Sequence, residues 1–160
     1  MSSGVWKQSG SDKVAGTIFD TSVYINALRR RDLSVFGQTR IADEEGGNEP
    51  VYLSAVVLEE LYVGAADDKL KKLLSKYENN FDNINRLLVP NQTDWTSGGQ
   101  ILSHVGRKYG FETVRRARMT NDCLIAMTAA RHGLTVITHN AADFRIISEF
   151  RPFKWREIKI

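Results

Sequence analysis

The stretch Gly16–Ile25, GTIFDTSVYI, rises through apolar residues to one carboxylate, Asp20, meets two hydroxyls, Thr21 and Ser22, and turns apolar again. Its β-branched and aromatic run predicts a short buried strand over Val14–Phe19, and the residues from Thr21 to about Arg31 predict a helix. A charge therefore stands where a buried strand meets a helix. A turn or an N-cap explains one such Asp. A site is indicated only if other segments bring polar groups to the same place.

Reading outward, the pattern repeats. Val51-Tyr52-Leu53 predicts a second strand, with Ser54 as N-cap of the helix AVVLEELYVGAA. Asp67 or Asp68 caps a further helix, whose Leu70, Leu73, Leu74 and Tyr77 recur at helical spacing with lysines on other faces. Arg86–Val89 predicts a third strand stopped by Pro90. Thr93 or Asp94 opens a helix toward Lys108 that ends near Gly110. Thr120 or Asn121 caps a helix through Arg131, closed by Gly133. Leu134–Thr138 is a β-branched strand, and Phe153–Ile160 is an edge-strand candidate. Short apolar strands alternating with helices define an α/β fold with a parallel sheet covered on both faces.

The rest of the chain fits one domain over 14–160, behind a polar leader at 1–13. That leader, MSSGVWKQSGSDK, has no apolar core of the kind a secretory signal carries. Gly37–Pro50, GQTRIADEEGGNEP, reads as a flexible loop within the domain. With 160 residues, 42% hydrophobic and 26% charged, the composition is that of a globular domain and excludes a disordered chain. No apolar run approaches the roughly 18 residues that cross a bilayer, so no membrane partner is expected. One cysteine, Cys123, excludes an internal disulfide and a multi-cysteine metal site, and suits a reducing cytoplasm. A net charge of +3 is a weak pointer to an anionic partner.

In an open parallel sheet, sites form beyond the carboxyl ends of the strands. The first strand ends at Asp20, the second at Ser54, and LTVIT runs into His139-Asn140 with Asp143 close behind. Asn121-Asp122 is placed in the first turn of its helix, and the helix after Ser54 supplies Glu59 and Glu60. These two glutamates flank the apolar face equally, so periodicity leaves open which one points inward. Converging carboxylates repel each other until a proton or a cation intervenes. Oxygen ligands alone suit Mg²⁺ or Mn²⁺ and do not suit Zn²⁺. Such an ion can bind a phosphate oxygen and activate water, which points to phosphoester hydrolysis. Taken singly, every one of these residues has a plainer explanation in capping or in the helix dipole.

Four blocks in this order, FDTSVYINAL, LSAVVLEELYVGA, NDCLIAMTAARHG and TVITHNAADF, resemble the PIN-domain family, and within it the VapC-type toxin ribonucleases. The resemblance covers roughly Ala15–Ile147. It implies a three-layer α/β/α sandwich and an acidic Mg²⁺ or Mn²⁺ site that cleaves RNA, tRNA among the candidates, with a protein antitoxin as partner and a homodimer as a family habit. Position by position it implies catalytic roles for Asp20, Glu60, Asp122 and Asp143, with Asp20 and Asp122 on the metal. Asp143 is favoured over Asn140 as the last acid, and Thr21, Thr138 and Asn140 are implied as supporting groups.

Two arginine clusters compete for RNA phosphates: Arg29–Arg31, and Arg115, Arg116 and Arg118. Either is equally well a solvated face or an antitoxin contact, and the resemblance favours the second for RNA. His104 is expected at the surface, His132 at a helix C-terminus, and His139 beside the site. Cys123 is expected to be a small buried residue. Trp95 and Trp155 are expected in the core or at an interface. The alternative function is a non-catalytic RNA-binding module, for which some acids should be missing. A haloacid-dehalogenase-like phosphatase would need a second Asp where Ser22 stands, and a receiver domain would need a Lys that THNAADF lacks.

Overall fold

β1, Thr17–Phe19, is buried throughout and runs through the centre of the sheet. The computed structural model describes residues 16–159 apart from 44 and 116, so the leader, Val14, Glu44, Arg116 and Ile160 lie outside the described residues. On one side β1 pairs in parallel with β3 (Asn48–Ser54), in the register Thr17 to Val51. On the other it pairs in parallel with β5 (Thr135–Thr138), Phe19 facing Ile137. β6 (Lys154–Glu157) lies parallel to β5 at the edge, where the sequence placed an edge strand. β4 (Leu87–Leu88) extends the far side by pairing with the end of β3. The chain thus leaves β1 toward one side and returns to it from the other. That reversal opens a crevice at the carboxyl ends of the central strands.

Among the described residues seven α-helices cover this mostly parallel sheet to give the three-layer α/β/α sandwich: α1 Thr21–Arg29, α2 Ala55–Val63, α3 Asp68–Asn83, α4 Gln92–Tyr109, α5 Phe111–Val114, α6 Ala117–His132 and α7 Ala141–Ser148. Their starts follow local chemistry. Ser54 Oγ accepts from Val56 N at 3.0 Å and Asp67 Oδ1 from Leu70 N at 2.7 Å, as side-chain caps should. Gly133, at φ +69°, turns the chain out of α6 in a conformation a β-carbon would disfavour. α3 buries Leu74, Tyr77 and Phe81 and leaves its lysines in water. Tyr77 and Tyr24 share a hydrogen bond of 2.9 Å inside a cluster with Phe19, Phe36 and Phe81, which satisfies both buried phenols.

Four expectations change. The 37–50 segment is largely a β-hairpin: β2 (Arg40–Ala42) pairs antiparallel with the start of β3. Asp43 Oδ1 accepts from the N–H of both Glu45 and Gly47, and Gly46 takes φ +91°, so polarity here encodes a tight turn. α4 starts one step earlier than expected, because Asn91 is the cap and Asp94 completes a reciprocal capping box. α6 begins at Ala117, so Thr120 and Asn121 lie inside the helix and Asp122 sits in its second turn. A first-turn dipole contact therefore does not explain Asp122. Trp95 is 57% exposed and belongs to no core, whereas Trp155 is half-buried under the Arg145 guanidinium.

Asp94 also joins α4 to α6. Its carboxylate is buried and accepts from Arg131 Nη2 at 2.8 Å, Arg131 Nε at 3.1 Å and Thr128 Oγ1 at 3.2 Å. Burial alone would raise its pKa, but Arg131 and the Asn91 N–H hold it below the ordinary range. Removing the cation leaves a buried charge with too few donors. Arg131→Met is therefore expected to cost about 2–3 kcal/mol in urea unfolding. Adding Asp94→Asn to that variant should recover part of the loss. A double variant weaker than Arg131→Met alone would show that the guanidinium acts through packing and not charge.

Candidate functional site

Asp20 leaves β1 in extended backbone and caps α1, so the plain role and the chemical one coincide in a single side chain. Its Oδ1 accepts from Ser22 N at 3.1 Å and from Ser22 Oγ at 2.5 Å. Its Oδ2 accepts from Thr138 Oγ1 at 2.8 Å, across from the end of β5. Thr138 Oγ1 accepts in turn from Asn140 N, and Ser22 Oγ from His139 N. The ends of the two central strands are thereby stitched together around one carboxylate. Burial raises the Asp20 pKa, and the Ser22 and Thr138 donors oppose that rise.

Glu60 points inward and Glu59 is exposed, which settles what periodicity left open. Thr21 Oγ1 donates to Glu60 Oε1 and joins α1 to α2. Asp122, 7% exposed, is delivered by α6 one helical turn after Arg118. Its carboxyl is pushed up to about 9 by burial, by a hydrogen bond to Asp143 and by the charges of Asp20, Asp143 and Glu60. Four acids from four segments thus converge. Asp122 and Asp143 meet through a hydrogen bond.

These groups floor a cleft of about 380 Å³ that includes Asp20, Glu60 and Asp122, with Thr21, Ser22, His139 and Asn140 on its walls. Asn140 is on the wall, whereas Asp143 is not and meets the cluster through Asp122. Of the basic residues favoured for RNA, Arg118 lines the cleft, and Arg115 is exposed in the turn before α6 and does not. Arg29, from the competing triplet, also lines it. With Ile25 and Asn26 it forms one face of α1, Ile25 and Arg29 following Thr21 at four and eight residues and Asn26 following Ser22 at four. That face was legible on a helical wheel and escaped notice because Arg29 was grouped with its sequence neighbours. His104 is exposed and stacks on Phe150, and Cys123 is buried.

A parallel α/β sheet with acids meeting at its switch point defines a class. The sequence model of the PIN domain matches residues 17–149, and the chain belongs to that family. VapC ribonuclease Mb1587 of Mycobacterium bovis and ribonuclease VapC11 of Mycobacterium tuberculosis are each 30% identical to it over 132 residues, 82% of this chain and 90% of theirs. In fold it is similar to DNA-bound VapBC from Salmonella typhimurium, with TM-score 0.58, 19% identity, and coverage of 89% of this chain and 98% of that one. FitAcB from Neisseria gonorrhoeae is comparable, with TM-score 0.55, 23% identity, and coverage of 87% and 95%.

The acid cluster has a consequence for stability. Asp122 titrates near 9 in the folded chain and an ordinary aspartate near 3.8, so folding retains a proton that the unfolded chain gives up. Metal-free protein should lose stability as pH rises from about 4 to about 9. Asp122→Asn removes this dependence. At pH 8 the metal-free variant is expected to exceed the native chain by at least about 1.4 kcal/mol, the worth of one pKa unit, with the gain vanishing toward pH 4. Urea unfolding across that range checks it; an equal or lower stability at pH 8 would mean the acids do not oppose one another.

Proposed function

We propose that this protein is a Mg²⁺- or Mn²⁺-dependent endoribonuclease and the toxin half of a toxin–antitoxin pair. The convergence of Asp20, Glu60 and Asp122 on one cleft of a PIN fold, with Asp143 against Asp122, carries the reading. The ribonuclease names of its 30% identical relatives support it.

The donor set suits a hard cation. It consists of carboxylate oxygens, and burial, together with the neighbouring acids, raises the Asp122 carboxyl to about 9, so that a cation binding there would displace a proton. Among the described residues no three acids, imidazoles or thiols form a preformed metal cage. Mg²⁺ does not need one, because it keeps several waters and takes one or two carboxylates. Asp20 and Asp122 would hold the ion, and Glu60 and Asp143 would complete or orient its surroundings. When bound, the ion would supply Lewis acidity toward a phosphate oxygen and activation of water.

The chain's own residues do the positioning. Ser22 and Thr138 fix both oxygens of Asp20, and Thr21 fixes Glu60. Arg29 and Arg118 line the cleft and would meet the phosphates of an RNA strand, which makes affinity fall with salt. An antitoxin is the partner that the VapBC neighbours support. Association into a homodimer belongs to the same reading. Among the described residues no helix is long and apolar enough to cross a membrane.

The test is cleavage of a mixed RNA pool, tRNA included, by partner-free protein. Activity is expected with Mg²⁺ or Mn²⁺ and none with EDTA. Asp20→Asn and Asp122→Asn are each expected to lower the rate by about a hundredfold or more. A folded, metal-loaded protein that cuts no RNA but still binds it would instead be a non-catalytic RNA-binding module.

A smaller effect isolates the support of Asp20. Thr138→Val leaves every acid in place and removes one donor from Asp20 Oδ2. Its rate at saturating metal is expected to fall about tenfold, with about tenfold more Mg²⁺ needed for half-activity. An unchanged metal requirement would mean that Thr138 serves only the strand pairing.

A further inference from the structure

The last strand reaches back to the cleft. Beyond the pairing of Thr138 with Glu157, Ile158 N donates to Thr138 O at 2.9 Å, and Ile158 O lies 2.8 Å from His139 Nδ1. A carbonyl oxygen can only accept, so Nδ1 carries the hydrogen. When the ring is neutral its one N–H is then spent on Ile158, and Nε2 keeps an unshared pair directed away from that strand. The backbone of His139 is fixed as well, since its N–H donates to Ser22 Oγ, which itself donates to Asp20. The residue lines the same cleft as Asp20 and Asp122.

We propose that His139 is a specificity-determining residue whose Nε2 accepts a hydrogen bond from a ribose 2′-hydroxyl. This rests on the ribonuclease reading above. Along a nucleic-acid backbone, phosphate oxygens only accept, and deoxyribose offers no donor at the 2′ carbon. The 2′-hydroxyl is the backbone group that donates, and it distinguishes RNA from DNA. Arg29 and Arg118 carry donors alone and match phosphates. The cleft thus presents donors for the phosphates, and beside the carboxylates that the proposed ion would take, His139 Nε2 is a fixed neutral acceptor for the sugar. Base N–H groups donate too, but they change from nucleotide to nucleotide, and a contact to them would be indifferent to the 2′ substituent.

The test is equilibrium binding, by fluorescence anisotropy, of single-stranded mixed-sequence oligonucleotides with Ca²⁺ in place of Mg²⁺ to hold off cleavage. Four versions carry 2′-hydroxyl, 2′-amino, 2′-fluoro or 2′-hydrogen at every sugar. The fluoro version keeps the sugar pucker of RNA and loses the donor, and the amino version keeps a donor. Native protein is expected to bind the hydroxyl and amino versions about tenfold more tightly than the fluoro and hydrogen versions. His139→Ala is expected to bind all four alike, at the weaker affinity. A native protein that binds the fluoro version as tightly as RNA overturns the inference and leaves the ribonuclease reading standing. So does a His139→Ala variant that keeps the preference. Binding of none of the four by native protein would overturn both.

Discussion

Mutual repulsion among Asp20, Glu60, Asp122 and Asp143 is the constraint around which the molecule is arranged. Each comes from a different segment, and among the described residues no cation donates a hydrogen bond to any of them. They stay together because the sheet and helices leave them no alternative. Asp20 is fixed by β1 and by its own capping bonds, Glu60 by α2 and Thr21, and Asp122 by a helix anchored in the core through Met119, Cys123 and Ala126. Short hydroxyl donors orient the carboxylates without neutralising them. Among the described residues the site's carboxylates thus meet hydroxyl and amide donors, and their charge stays available to the ion that the proposed function calls for.

Asp94 makes the alternative visible within the same fold. It is as buried as Asp122 and lies on α4, which packs along α6. Arg131 is placed against it, and its pKa falls where that of Asp122 rises. The chain therefore has the means to satisfy a buried aspartate and uses them at the helix interface. At the strand ends, among the described residues, Asp20 has hydroxyl and amide donors in place of a cation. A local conflict kept unresolved beside one that is resolved marks a functional position better than burial or charge alone.

Much of this was legible in the sequence. β-branched runs and caps located most strands and helices, because strand burial and helix capping are written in a few adjacent residues. Asp20 and Asp143 stood out by their place after strands and Asp122 by its place near a helix start, Glu60 only by the family order of four blocks, and Asp20, Glu60 and Asp122 meet at one cleft with Asp143 against Asp122. What escaped depends on pairing or on orientation. The hairpin at Arg40–Pro50 is polar because its strand is short and at an edge, so no alternation betrayed it. The inward turn of Glu60 over Glu59 needed α1 beside α2. Arg29 needed the helix wheel of α1 continued past its apolar end. The tautomer of His139 depended on Ile158, nineteen positions away.

A cleft floored with carboxylates is by itself a poor host for a polyanion, and the contradiction resolves through linkage. Phosphate and carboxylate repel, so RNA binds such a site well only when the acids are compensated. Protonation of Asp122 compensates one charge, and a divalent ion would compensate two and offer the phosphate a partner. By reciprocity, whatever strengthens the ion's hold also strengthens that of the RNA, and the reverse. On the proposed reading, Arg29 and Arg118 at the cleft walls would extend attraction to phosphates beyond the one being cut, where the acids are no longer close. The acids and arginines would then act at different distances on one strand, the first calling for a cation at the scissile phosphate and the second holding the strand to either side. Neither set alone would both bind RNA and leave a position for water to attack.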